Sequence, residues 1–318
     1  MPPFQESKAD KTDDACHNID LAGTDLPPVA VPKTFRGASP ESLLCKSTQS
    51  LLCALKRLPL CVVLSGPKSY ILKAVSDTLV INEIYLSLQG ESTFAGLPCV
   101  FVRLTACNLR CSYCDTAYAF TEGRKMTLPE IIARVQELSQ GFAKTNDALR
   151  LPLVELTGGE PLLQKNSLPL MKDLCDAGFT VLLETSGALD ITPVDGRVRR
   201  IMDLKCPSSG ECERNRWENL TQLKNGDEIK FVIGTLQDYE WAKETVTTRR
   251  LAGVCPILFS WVSPLLPQQR DKSLRQVPEG QTPISRRELV EKIMADALPV
   301  RFQLQMHKFI WPPDQKGV

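Results

Sequence analysis

The sequence predicts an α/β fold, a full or partial α/β barrel built around a parallel sheet. Two observations carry this. From Leu79 onward, apolar β-branched runs alternate with amphipathic helical ones, the pattern of strand–helix–strand units with right-handed crossovers. The helical runs also carry start and stop signals at the positions such units require.

The expected strands are Val80–Leu88, Cys99–Leu104, Leu153–Thr157, Thr180–Glu184, Arg200–Leu204, Glu228–Ile233, Ile257–Val262 and Arg301–Gln305. Between them, Thr127 and Glu130 form a capping-box pattern ahead of a helix over Ile131–Leu138. A second helix, Leu168–Ala177, stops at Gly178, a suitable residue for the left-handed turn after a helix. Asp238–Thr247 and Ser285–Ala297 complete the amphipathic set. In folds of this kind the chemistry sits on loops at the C-terminal ends of strands.

Residues 1–78 read differently. Prolines stand at 2, 3, 27, 28, 32 and 40, and no steady period is present. This part is expected to be a disordered or loosely attached extension, with one short helix near Glu41–Leu55, and the domain proper spans 79–318. Met1–Leu26 is polar and partly acidic, so no secretory leader is expected there, and the expected location is the cytoplasm. The most apolar stretch, Leu51–Leu64, is broken by Lys56, Arg57 and Pro59, so no membrane association is expected. The net charge of +1 gives no electrostatic support for a nucleic-acid partner.

Twelve cysteines in 318 residues are too many for chance, yet the chain is too long and their spacing too irregular for a secreted disulfide scaffold. Most suit the role of small buried apolar residues. Cys107, Cys111 and Cys114 stand apart. Their C-x₃-C-x₂-C spacing lies in the segment Thr105-Ala-Cys-Asn-Leu-Arg-Cys-Ser-Tyr-Cys-Asp-Thr116, directly after an expected strand. Structural zinc wants four ligands. No fourth Cys or His is close, and the only histidines are His17 and His307. Three thiolates on a four-iron cubane instead leave one iron open for a bound molecule.

With Tyr113 before its last cysteine, the triplet resembles the radical S-adenosylmethionine superfamily. Thr157-Gly-Gly-Glu-Pro161, after the next expected strand, matches the superfamily loop that meets the methionine amino group. Its glycines allow close backbone approach, and Glu160 can accept from an amine. The flanks resemble one family within it, the 7-carboxy-7-deazaguanine synthases. They are Ile84-Tyr-Leu-Ser-Leu-Gln-Gly-Glu-Ser92, Phe101-Val-Arg103, Cys114-Asp-Thr116, Glu184-Thr-Ser-Gly187, Asp203-Leu-Lys-Cys-Pro-Ser208 and Gln303-Leu-Gln-Met-His-Lys308.

The resemblance implies a partial (β/α) TIM-like barrel of the radical S-adenosylmethionine type. It implies a lyase that converts 6-carboxy-5,6,7,8-tetrahydropterin to 7-carboxy-7-deazaguanine with release of ammonia, for queuosine and related 7-deazapurines. The implied cofactors are a [4Fe–4S] cluster on Cys107, Cys111 and Cys114, S-adenosylmethionine used catalytically, and Mg²⁺ on Thr116. Leu88, Gln89, Gly90, Arg103, Thr157 and His307 are the implied substrate contacts, with Arg103 suited to a carboxylate. Tyr113, Cys114, Asp115, Gly159, Glu160, Ser186, Lys205 and Gln237 are the implied cofactor contacts, with Tyr113 and Asp115 on the adenine side. A reductase, flavodoxin or ferredoxin as electron donor and a homodimer follow by the same route. Two other functions share the triplet: an activase that raises a glycyl radical on a partner protein, and a non-catalytic iron–sulfur or zinc module. Neither needs Arg103, Thr116 or the Leu88–Glu91 segment in these roles. The chain also runs past Pro312 and Pro313 to Val318, where family members place a C-terminal carboxylate or nearby proline in the site.

Overall fold

The computed structural model describes residues 77–142 and 149–318. The expected extension and its short helix lie outside the described residues, apart from Asp77 and Thr78. Nine strands and five helices follow in chain order. They are β1 (Thr78–Leu88), β2 (Pro98–Leu104), β3 (Arg124–Thr127), α1 (Leu128–Leu138), β4 (Leu153–Gly158), α2 (Ser167–Asp176), β5 (Val181–Thr185), β6 (Arg199–Asp203), β7 (Glu228–Ile233), α3 (Leu236–Thr248), β8 (Ile257–Trp261), α4 (Arg286–Ala295), β9 (Arg301–Gln303) and α5 (His307–Ile310).

The strands form one sheet in the order β3-β1-β2-β4-β5-β6-β7-β8-β9. From β2 to β9 every neighbour is parallel. The first strand departs from the expected parallel sheet, since β1 runs antiparallel to both β2 and β3. Hydrophobic period is blind to strand direction. The length of the β1–β2 connection is not: Gln89–Leu97 is shorter than the dozen or so residues that a parallel crossover needs. β3 has no counterpart among the expected strands because Arg124-Lys-Met-Thr127 has only one buried residue, Met126.

The helix signals act as the sequence suggests. Thr127 and Glu130 make the reciprocal capping box of α1, and Gly178 takes the left-handed conformation after α2 at φ 82°. Thr235 and Asp238 form a second capping box on α3. Such caps contribute about 1 kcal/mol each. The last strand is shorter than expected, ending at Gln303, so His307 opens α5 rather than closing a strand.

Side-chain alternation splits the strands into two faces. One face of β2, β4, β5 and β7 carries Val100, Val102, Leu104, Val154, Leu156, Leu183, Ile229 and Phe231, packed against Ile131, Val135, Leu170, Leu174, Tyr239, Val246 and Leu289 of the helices. This is the main core. The concave face holds a small apolar cluster, Cys99, Phe101, Leu153, Leu182 and Ile201. Toward the C-terminal strand ends that same face turns polar, because Arg103 follows Phe101, Glu155 and Thr157 follow Leu153, Glu184 follows Leu182, and Asp203 follows Ile201.

Among the described residues the sheet does not close by strand pairing. The segment after β1 bridges toward the far edge instead. Ser92 N–H donates to Gln303 Oε1 (3.1 Å), and Gln303 Nε2 donates to Ser92 O (2.6 Å). Met306 N–H donates to Gly90 O at 3.0 Å, and Thr93 N–H to Glu228 Oε1 at 3.1 Å. Among the described residues no helix is long and apolar enough to cross a membrane.

Candidate active site

The cysteine loop leaves β2 through Ala106, which takes a left-handed backbone conformation at φ 79°. The Gly158–Gly159 pair at the end of β4 lies directly against it. A Cβ on Gly158 would sit 2.6 Å from Leu104 N, and one on Gly159 would sit 2.8 Å from the Cys107 Cβ. Real Cβ atoms do not approach so closely, so both glycines are fixed by this contact. Hydrogen bonds tie the two loops, with Gly159 N–H donating to Leu104 O (3.3 Å) and Glu160 N–H to Ala106 O (2.9 Å). On the other side, Ser112 N–H donates to Ser209 O at 3.0 Å, and Arg110 N–H donates to Glu211 Oε1 at 2.9 Å. The turn after β6 thereby holds the middle of the triplet.

Cys107, Cys111 and Cys114 all line one cavity of about 230 Å³ inside the concave face. Burial pushes all three thiols up, Cys111 to about 12, and the nearby Lys205 ammonium opposes this for Cys107 and Cys111. Ligating thiolates therefore require a strong local cation, which a metal centre supplies. Among the described residues no three Cys, His, Asp or Glu side chains converge on a single-ion site. Three thiols on one loop suit a cubane, which carries one thiolate per iron and leaves the fourth iron open. The buried Tyr113 hydroxyl and Asp203 Oδ1, both on cavity-lining residues, have no partner among the described residues, so the space beside the triplet is built for a polar occupant.

The expected cofactor contacts divide. Tyr113, Gly159, Ser186 and Lys205 line the cavity. The Lys205 ammonium is held by Asp203 at 2.7 Å. Asp115 lines it too, but its carboxylate is bound by Lys308 Nζ (2.6 Å) and Gln305 Nε2 (3.2 Å). Burial alone would raise it; the Lys308 ammonium outweighs that and leaves it at about 2. Asp115 thus ties the triplet to α5 while lining the cavity. Glu160 sits deeper. It is fully buried beneath the loop, and its carboxylate accepts from the Thr185 hydroxyl (2.9 Å), Ser186 N–H (2.8 Å) and Ser186 hydroxyl (2.6 Å). With those bonds made it holds the two strand-end loops together, next to Gly159 and Ser186 of the cavity wall. Gln237 is also outside it, paired with Gly280 O at 3.1 Å and Thr282 N at 2.9 Å.

The expected substrate contacts Leu88, Gln89, Gly90, Arg103, Thr157 and His307 all line the cavity. Gly90 is required by His307, since a Cβ there would come within 2.8 Å of His307 Nδ1. Burial holds the His307 imidazole below its usual value. Arg103 donates to Glu83 Oε1 at 2.7 Å and to the Tyr85 hydroxyl at 2.9 Å. Its Nη1 is free of protein hydrogen bonds among the described residues. Thr116 lines the same wall, its hydroxyl 3.7 Å from Cys114 Sγ. With Asp115 engaged by Lys308, the Thr116 hydroxyl could give one ligand to an Mg²⁺ ion completed by bound molecules and water.

A belt of polar side chains, not expected from the sequence, crosses the cavity. The Thr157 hydroxyl donates to Glu184 (3.2 Å), and Lys230 donates to Glu184 and to Glu91 (3.3 Å). Gln305 then links Glu91 to Asp115, at 3.2 Å each. Burial would raise Glu184 and lower Lys230, but their attraction prevails in both directions: Glu184 is lowered and Lys230 raised. A signal for this belt exists in the sequence. Lys230 and Glu155 are charged residues set inside apolar strands, as Arg103 is, and the same rule that singles out Arg103 applies to them.

The chain resembles known proteins across this whole region. The model of the Radical SAM superfamily matches residues 102–208. The 7-carboxy-7-deazaguanine synthase of Koribacter versatilis is 46% identical over 240 residues, covering 75% of this chain and 99% of the relative. The chain belongs to the 7-carboxy-7-deazaguanine synthase family. The synthase of Chlorobaculum tepidum is 44% identical, over 76% of this chain and 97% of its own. The crystal structure of QueE from Escherichia coli shares the fold, with a TM-score of 0.52 at 23% identity over 72% of this chain and 95% of that one. Membership makes this chain a radical S-adenosylmethionine lyase with a [4Fe–4S] cluster, S-adenosylmethionine and Mg²⁺ as cofactors. The residues described above fit that set.

Proposed function

We propose that this chain converts 6-carboxy-5,6,7,8-tetrahydropterin to 7-carboxy-7-deazaguanine with loss of ammonia. The observation that carries the reading is the placing of the cysteine triplet and the Arg103, Glu184, Lys230 and His307 groups on one cavity, in a chain aligned with nearly the full length of a named synthase. When bound, the cluster and S-adenosylmethionine supply the 5′-deoxyadenosyl radical that takes a hydrogen from C6 of the pterin.

The residues of the chain bind, orient and seal. Cys107, Cys111 and Cys114 hold the cluster. Gly159, Ser186, Lys205 and Tyr113 border the cofactor. Thr116 gives one ligand to Mg²⁺. Arg103 turns its unpaired Nη1 to the substrate carboxylate, a charge-assisted contact, and Glu83 keeps the guanidinium in that orientation. Leu88, Gln89, Gly90, Thr157 and His307 shape the pterin site. The small apolar cluster under Phe101 and Leu182 closes the floor against water. Residues 79–318 form the synthase unit. A flavodoxin, ferredoxin or reductase delivers the electron, and the working form is a homodimer.

An anaerobic assay with reconstituted protein, reductant, S-adenosylmethionine, Mg²⁺ and the carboxytetrahydropterin tests the reading. Formation of 7-carboxy-7-deazaguanine is expected. Cleavage of S-adenosylmethionine without that product would overturn it in favour of another radical reaction, and no cleavage by cluster-loaded protein would point to a binding module.

A further inference from the structure

One carboxyl in the cavity has no role so far. Glu155 is 1% exposed and lines the cavity from β4, one inward position below Thr157. Its neighbours across the sheet are Phe101 and Leu182. Among the described residues no Lys or Arg pairs with it, whereas Glu184 has Lys230. Among the described residues its carboxyl has one hydrogen bond, from Gln89 Nε2. The Gln89 amide is fixed at its other end too, because Gln89 Oε1 accepts from Glu91 N–H at 2.7 Å. The pair therefore presents two unmatched groups: the second N–H of Gln89 and the second oxygen of Glu155.

The ionisable groups around Glu155 are Glu184, Lys230, Glu91 and Arg103 within the cavity, with Cys99 on the adjoining β2 and Tyr85 on β1. Burial first, then the Glu184 charge, push its carboxyl well above the usual range, and Lys230 and Arg103 only partly oppose this. A buried carboxylate without a cation is much costlier than the acid.

We propose that Glu155 is a substrate-recognition residue, a neutral carboxyl whose one oxygen accepts from Gln89 while its O–H donates to the ring carbonyl of a fused pyrimidinone. The ring carbonyl is an acceptor. A carboxylate would repel it, whereas the acid and the free Gln89 N–H both suit it. A ring bearing an amino group at that position would meet two donors and be rejected. This inference rests on the pterin reading above.

Binding of the unreacted pterin to cluster-loaded protein, without reductant, tests it. Glu155→Gln keeps an acceptor for Gln89 and a donor for the carbonyl, so affinity stays within a few-fold of the parent. Glu155→Leu leaves both partners unmatched and weakens binding about tenfold to a hundredfold. Cluster absorption and melting temperature report whether each variant folds. Equal losses in both variants, or no loss in Glu155→Leu, would overturn the proposal. Infrared difference spectra of ligand-free parent against Glu155→Gln give an independent reading. The carbonyl stretch of a protonated carboxyl is expected at neutral pH, and its absence would also overturn the proposal. Tight, Glu155-dependent pterin binding without product would remove the synthase reading and leave this one standing.

Discussion

Replacing Lys230 by Met isolates the charge balance inside the cavity. Lys230 is 6% exposed and faces Glu184 and Glu91, which are 30% and 19% exposed. Removing one partner of a buried ion pair costs about 3–5 kcal/mol. The partial exposure of both carboxylates places this case near the lower end, about 3 kcal/mol. For a domain of this size each kcal/mol lowers the melting temperature by about 2–4 °C, so a fall of about 6–12 °C is expected. The loss depends on pH. In the parent, burial raises Glu184 but Lys230 holds it low on balance. A carboxylate held low contributes stability above its unfolded value, about 4.3, and loses it as pH falls through the folded value. With Met at 230 the Glu184 carboxyl moves up, so the penalty is full at pH 8 and shrinks toward pH 5 as the acid takes its proton. Thermal unfolding of parent, Lys230→Met and Lys230→Met/Glu184→Gln across that range is the assay. The double variant should regain much of the loss. A fall below about 2 °C, or one equal at pH 5 and pH 8, would refute the reasoning.

Three further outcomes are expected. Cys111→Ala abolishes the cluster's visible absorption and the activity together, and full activity in cluster-free protein would contradict the assignment of the triplet. Arg103→Ala lowers kcat/KM for the pterin about tenfold to a hundredfold, the worth of a charged hydrogen bond, while cluster absorption is unchanged; an unaltered kcat/KM would remove Arg103 from the carboxylate site. Deleting residues 1–76 leaves product formation by the remaining chain essentially unchanged, and loss of folding on deletion would show that the synthase unit begins earlier.

Much of this fold is legible in the sequence because strands buried on both faces read as apolar runs and helices announce their ends. The anticipated strands lie within two residues of their observed bounds, the one at Arg301 ending two residues early. Strand direction is not legible in period, which is why β1 runs against the expectation, and Arg124–Thr127 buries only Met126, too little for an apolar signal. At the site, the cysteines are legible because three thiols at this spacing in one strand-end loop rarely arise from core packing. For Glu160, a loop motif says that a carboxylate is present, not which protein groups it meets. Here Ser186 and Thr185 claim it. Lys230 on β7, Glu184 on β5 and Glu91 in the β1–β2 connection are far apart in sequence, so their meeting is a property of the fold and of no local segment.

The seam between β1 and β9 has a mechanical consequence. Where a ladder closes a barrel, opening it means stripping a row of backbone bonds at once. Here the join is a handful of separate contacts at Gly90, Glu91 and Ser92. These can break singly while the other strands stay paired, so amide exchange along Gln89–Leu97 should run far ahead of that in β4 and β5. A molecule entering from this side would need to displace a hinge and not a wall.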